Sequence, residues 1–234
     1  MAFDTATTPS FSAWLGQRYA SLFDEFWEHP AVAGLRDGSL PAECVRHYVG
    51  QDYQYLTVFM RCYGLGIAAS PDRDWVAWFH NQVGFLLAEE THPHHALCRA
   101  IGTSYEQVQA SRLAPTARGY VDHMTVAGHD DLPVLLAALL PCPWTYIWAA
   151  TRFIEQTPPA ADHPFGDWWW FYASPESQKL LDEFRTRLDT LAAEAGDAER
   201  HRMVTAFETS CQYEVRFWQM AWTQEDWPAP SPVS

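Results

Sequence analysis

In AFETSCQYEVRFWQMAW, residues 206–222, apolar side chains return every three or four positions. Phe207, Cys211, Phe217 or Trp218, and Ala221 then share one face, which is the period of an amphipathic α-helix and not the alternation of a strand. Glu214 falls on that same face, where the pattern wants an apolar residue. Desolvation of a carboxyl there raises its pKa, by up to ~3–5 units if burial is complete, and leaves an acid able to give up a proton near neutral pH. A tilt of the helix that let Glu214 reach water would leave it an ordinary surface acid.

The same period continues outward. In FSAWLGQRYASLFDEFW (11–27), Trp14, Tyr19, Leu22 and Phe26 mark one face of a first helix, and further helices are predicted over 41–68, 72–101, 104–127, 131–156, 165–173, 175–196 and 198–224. Between them stand SPDRD, AGHDD, TPPAADHP, YASPES and AGDA, and the turn LRDGSLPAE, where Ser39 is placed to cap and Pro41 to enter a first helical turn. No alternating strand pattern and no fixed repeat occurs, so the fold class is all-α, a single-domain helical bundle. It spans about residues 11–224, with tails at 1–10 and 225–234.

Composition narrows the partners. Lys and Arg total 15 against 29 Asp and Glu, a net charge of -14, which disfavours nucleic acid and anionic membrane surfaces. The longest apolar run, near Leu132 to Pro143, reads as too short to span a bilayer. Five cysteines at 44, 62, 98, 142 and 211, with no C-x-x-C pair and no leader-like opening, suit free thiols in a cytoplasmic protein. Aromatic residues make up 15% of the chain, enough rings to line a cavity as well as fill a core.

Two more positions repeat the anomaly of Glu214. In HYVGQDYQYLTVF (47–59), Tyr48, Asp52, Tyr55 and Phe59 are spaced 4, 3 and 4 apart, so a carboxylate lies inside an aromatic stripe. It needs a partner there, either a buried Arg or Tyr or a ligand. In LLPCPWTYIW (139–148), Pro143 belongs to the first turn of a helix, which sets Cys142 at the N-terminus, where N–H groups and the macrodipole favour a thiolate. Tyr146 follows one turn later. A lone cysteine is more often a small buried hydrophobe. Carboxylates, a thiol and tyrosines on inward faces would together suit a small, flat, nitrogen-rich ligand.

Taken together, QDYQYL (51–56), LLPCPWTY (139–146), WWWFYAS (168–174) and YEVRFWQMAW (213–222) resemble the TenA family, also called thiaminase II, in order and spacing from about residue 11 to 224. The resemblance implies a heme-oxygenase-like bundle, a homotetramer, that hydrolyses thiamin or its aminomethylpyrimidine degradation products to hydroxymethylpyrimidine without a cofactor. By the same resemblance Cys142 is the nucleophile and Glu214 the proton donor to the leaving amine. Asp52 would hold the ring nitrogen and exocyclic amine, with Tyr55, Tyr120, Tyr146, Tyr172 and Phe217 completing the substrate-binding set. Two places depart from the family: its I-G after the cysteine motif reads IWAA here, and its W-I before the pocket tyrosine reads WWWFY, both adding bulk.

Two other classes compete. Glu89, Glu90, His92, His94 and His95 in LAEETHPHH offer metal ligands, and heme-oxygenase-like folds include metal- and cofactor-dependent oxidases. Only one E-x-x-H is present and Pro93 interrupts the helix that would present it, so a solvated or capping cluster is expected. A non-catalytic pyrimidine-binding regulator is the second, disfavoured by the acidic charge.

Overall fold

The computed structural model describes residues 10–88, 91–109 and 112–228, and among these it holds thirteen helices and no strand. The first predicted helix, over 11–27, is two, α1 (Phe11–Arg18) and α2 (Ala20–Glu28), and a further α3 (Pro30–Asp37), which the sequence reading did not include, follows them. Ser10 caps α1 by accepting from the Ala13 N–H, and His29 Nδ1 caps α3 by accepting from Ala31. Tyr19 breaks α1 from α2 at φ -107° and ψ 18°, while its ring enters the core beside Phe207 and its hydroxyl donates to Glu208. Gly38, at φ 80°, ends α3 in the left-handed conformation that favours glycine. Ser39 caps nothing, because its N–H and hydroxyl both turn back to Asp37; Pro41 stands just outside the next helix as its N-cap.

The long α4 (Ala42–Ala69) runs through the middle, and α5 (Arg73–Ala88) crosses it at Gly66, where any Cβ would drive into the Phe79 ring. The predicted helix over 72–101 is thus α5 and a separate α6 (Thr91–Ala100), with Pro93 in the first turn of α6 where a proline starts a helix and does not interrupt one. The segment 104–127 likewise divides into a short α7 (Tyr105–Val108) and α8 (Pro115–Asp130), because Pro115 opens a new helix at its first position.

α9 (Leu132–Leu139) and α10 (Pro141–Gln156) come close to one rod. Pro141 and Pro143 have no N–H for the carbonyls of Ala137 and Leu139, so the hydrogen-bond ladder is interrupted at Leu140, whose own dihedrals stay helical. At this junction the Ala138 carbonyl accepts from Ser210 Oγ (2.7 Å). Leu132–Gln156 is therefore long and apolar enough to cross a membrane by length and composition, contrary to the shorter run expected, yet most of it is buried within the bundle. α11 (Gly166–Tyr172) and α12 (Pro175–Glu194) follow as predicted, and α13 (Asp197–Thr223) packs against α2, α3, α4, α8, α9 and α10 at the centre. Residues 1–9 and 229–234 of the expected tails lie outside the described residues. Residues 225–228 are tied down, with Glu225 accepting from the Thr116 N–H and Trp227 Nε1 donating to the Leu113 carbonyl.

Candidate active site

Five helices deliver the predicted residues to one interior. Glu214 projects from α13 with Phe217, and Asp52 and Tyr55 project from α4; Tyr120 comes from α8, and Cys142 and Tyr146 from α10. Tyr172 closes the set at the end of α11. The face read from residues 207–221 is the buried one, so Glu214 is only 2% exposed and does not reach solvent. Burial pushes its pKa up to about 8, with the Asp52 charge adding to the rise and the Tyr120 hydrogen bond opposing it. The Tyr120 hydroxyl donates to Glu214 Oε1 at 2.5 Å, and no other side-chain hydrogen bond to Glu214 exists among the described residues.

The rings form the walls. Tyr55 lies 5.0 Å from Tyr120 and 5.5 Å from Phe217 between ring centroids, and its hydroxyl points to Met124 Sδ (3.4 Å). Tyr146 packs 5.2 Å from Tyr172 and 5.5 Å from Trp168. Burial drives the hydroxyls of Tyr55, Tyr120 and Tyr146 far above the usual phenol range, so they stay neutral donors. Each of the three also feels the charges of Glu214 and Cys142, which places all five groups within one electrostatic neighbourhood.

Cys142, second residue of α10, is half-buried, the other four thiols being buried. Burial pushes the thiols of Cys62 and Cys98 up to about 11 and raises those of Cys44 and Cys211, which leaves them inert packing groups. Cys142 lines an enclosed cavity with Tyr172, Phe59 and Phe171. A large surface groove, about 1140 Å³ between α5 and α12, touches none of the eight predicted residues.

Asp52 has the partner its apolar setting demanded, and it is neither Arg nor Tyr. His94 Nε2 sits 2.7 Å from Asp52 Oδ2, at an angle too oblique for a hydrogen bond, so neither ring nitrogen of His94 has a hydrogen-bond partner. His94 is fully buried and stacks on Tyr105 at 5.6 Å, while His92 is exposed and His95 meets the Tyr105 edge. The expectation of a solvated cluster is therefore corrected for His94, which α6 turns inward onto α4. Glu89 and Glu90 lie outside the described residues, and among the described ones no three His, Cys, Asp or Glu side chains gather as metal ligands.

Sequence reasoning also passed over Tyr48, which stacks on Trp218 at 4.4 Å and 14° beside Phe217. Tyr48 stood in the quoted stripe, and its spacing from Asp52 was enough to find it. The bulk of IWAA and WWWFY divides: Trp148 packs on Phe23 and Trp27, Trp169 donates to the Leu35 carbonyl and Trp170 is half-exposed, whereas Trp168 packs on Tyr146 and Tyr172, and Ile147 and Phe171 line the cavity beside Cys142.

Residues 16–224 match the TENA/THI-4/PQQC family. An aminopyrimidine aminohydrolase from Halalkalibacterium halodurans is 33% identical over 220 residues, covering 93% of this chain and 98% of that protein. The structure of a TenA family transcription regulator from Silicibacter sp. TM1040 superposes with a TM-score of 0.80 at 30% identity, covering 91% of this chain and 96% of that one. A domain of unknown function with a heme oxygenase-like fold from Shewanella denitrificans shares the fold at 15% identity and a TM-score of 0.58, covering 93% and 94%. With a match over nearly its whole length and a heme-oxygenase-like bundle around these residues, the chain belongs to the TENA/THI-4/PQQC family.

Proposed function

We infer that the chain is an aminopyrimidine aminohydrolase of the thiaminase II type, hydrolysing a C–N bond in thiamin or an aminomethylpyrimidine derived from it to give hydroxymethylpyrimidine. The observation that carries this reading is Glu214, a buried acid held protonated to about pH 8 and fed by Tyr120, in one neighbourhood with the half-buried thiol. A binding module has no need of such a pair. The likeness to the Halalkalibacterium aminopyrimidine aminohydrolase supports the same reaction class.

In this reading the Cys142 thiol adds across a C=N bond of the electron-poor pyrimidine, sulfur to carbon and proton to nitrogen. The C–N bond of the side arm then breaks as Glu214 gives its proton to the departing amine. Water adds to the exocyclic methylene and returns a proton to Glu214; the C–S bond breaks and the thiol re-forms. Asp52, backed by His94, pairs with the ring nitrogen and amino group, and Tyr55, Tyr120, Tyr146, Tyr172 and Phe217 hold the ring between faces and edges. A homotetramer in the cytoplasm accompanies this reading, in keeping with five unpaired thiols; sedimentation equilibrium measures the assembly.

The test is Cys142→Ser. Ammonia release from 4-amino-5-aminomethyl-2-methylpyrimidine is expected to vanish while the product pyrimidine still binds, because only the nucleophile weakens. Near wild-type turnover in the variant would end the covalent reading.

A further inference from the structure

α5 buries Trp75, Trp78, Phe79, Gln82 and Leu86, an apolar stripe interrupted by one primary amide. Gln82 is 5% exposed, and its side chain makes no hydrogen bond among the described residues. Its amide atoms are not among the sealed-off unpaired ones, so they stay within reach of a partner from outside the protein, which an unpaired amide calls for. Gln82 lines the enclosed cavity that Cys142 and Tyr172 also line, with Ser177 on the same wall.

The volume decides what that partner is. The cavity measures about 30 Å³, whereas a water needs roughly 10–15 Å³ on this measure and an organic ligand site has roughly 300–1,000 Å³. One or two waters fit and a substrate arm does not. Phe59, Phe85, Leu86 and Phe171 make much of the wall apolar, and Tyr63, Cys142 and Tyr172 also line it; a water there can meet the Gln82 amide together with Ser177 Oγ, which donates to the Phe171 carbonyl (2.9 Å), accepts from Ser174 Oγ (3.1 Å) and keeps a second lone pair.

We propose that Gln82 is a positioning residue that holds the water consumed in hydrolysis next to the Cys142 adduct. The proposal rests on the covalent reading above. After the amine has left with the Glu214 proton, the adduct carries an electrophilic methylene; the held water forms the C–O bond and passes one proton to the Glu214 carboxylate. The ring electrons return, the C–S bond breaks, and the proton on the ring nitrogen goes back to sulfur. One C–N bond is exchanged for one C–O bond, with no oxidant or reductant.

Rapid-quench kinetics on the aminomethylpyrimidine separate the two halves of the reaction. Gln82→Met keeps the side-chain volume and removes both hydrogen-bonding groups. It is expected to release one equivalent of ammonia per Cys142 in a burst at the wild-type rate, then to form hydroxymethylpyrimidine roughly 100-fold more slowly, the scale of a misplaced reactant. KM falls with kcat, as it does when a late step becomes limiting. A raised KM with unchanged kcat, or equal slowing of both products without a burst, overturns the proposal, as does wild-type turnover. Gln82→Leu, read the same way, replaces Gln82→Met should the latter not reach the wild-type melting temperature. A wild-type enzyme that releases no ammonia from this substrate defeats the covalent reading itself, a result distinct from every Gln82 outcome.

Discussion

Gln51 on α4 and Gln82 on α5 are buried almost equally, 2% and 5% exposed, yet they are used in opposite ways. The Gln51 amide is saturated: Nε2 donates to the Arg112 carbonyl (2.7 Å) and Oε1 accepts from the Ala114 N–H (2.8 Å), clipping the segment before α8 to α4. Gln82 has no such partners. The same division separates two regions of the molecule. At the α4–α8 junction, Glu225 and Trp227 also spend their polar atoms on backbone groups. Around Cys142, Glu214 has one partner, Asp52 has an oblique one, and Gln82 faces a cavity. Saturated polar groups stabilise a fold; unsaturated ones cost stability and mark where something else binds.

The largest expected effect is at Glu214. Glu214→Gln retains the shape and loses the proton, and general acid catalysis contributes typically ~10²- to 10⁴-fold, so kcat should fall by that order with ligand affinity retained. Wild-type activity should decline above about pH 8 as Glu214 ionises, and the variant should lack that limb. Stability moves the other way. With a folded pKa of about 8 against an ordinary 4.5, the folded state holds a proton that the unfolded state has released, so stability falls as pH rises between those values. The cost at pH 7 is on the order of 3 kcal/mol, and Glu214→Gln should remove it, melting higher than wild type at pH 8 and equally at pH 4. A kcat lowered less than about threefold, well short of that range, would make Glu214 a positioning group.

Glu214 was legible because a single helix carries both the acid and the apolar face that buries it. The ends of α4 and α13 were legible for the same reason: their long stripes fall within a residue or two of the predicted 41–68 and 198–224. What could not be read was anything set by a second element. No proline or glycine marks the break at Tyr19, which follows from the place its ring and hydroxyl take beside Phe207 and Glu208. His94 looked like one of a polar group because its environment is α4, some forty residues away in sequence. Pro115 and Gln82 were different: the proline that starts α8 and the amide inside the Trp75–Leu86 stripe were both visible and were passed over. The identities of the binding tyrosines came from family resemblance, since spacing alone does not distinguish a core ring from a binding one.

Breaking the saturated side of the comparison should harm the fold and spare the chemistry. Gln51→Leu strands the Arg112 carbonyl and the buried Ala114 N–H, and two such losses are expected to cost about 2–4 kcal/mol in denaturant unfolding. Turnover per folded molecule should match wild type. Lost turnover with unchanged stability would mean that the α4–α8 junction belongs to the active site and that saturation is no guide to role.

Asp52 is the position where the comparison is closest to failing, because it has a partner of a kind. His94 lies at 2.7 Å but off the hydrogen-bonding direction, and neither group has another hydrogen bond among the described residues. A purely structural pair would be expected to close that bond, as Gln51 closes both of its own. An amide in place of the carboxylate fills the same space and still accepts, but it surrenders the charge that strengthens a bond to a pyrimidine nitrogen and its neighbouring amino group. The difference between a charge-assisted and a neutral hydrogen bond is about 1–2 kcal/mol, so Asp52→Asn should weaken hydroxymethylpyrimidine binding roughly tenfold by calorimetric titration. Its melting temperature should stay close to wild type, since removing a buried charge offsets what the His94 contact loses. Unchanged affinity together with a large fall in melting temperature would reverse the assignment, placing Asp52 with Gln51 among the groups that hold the bundle together.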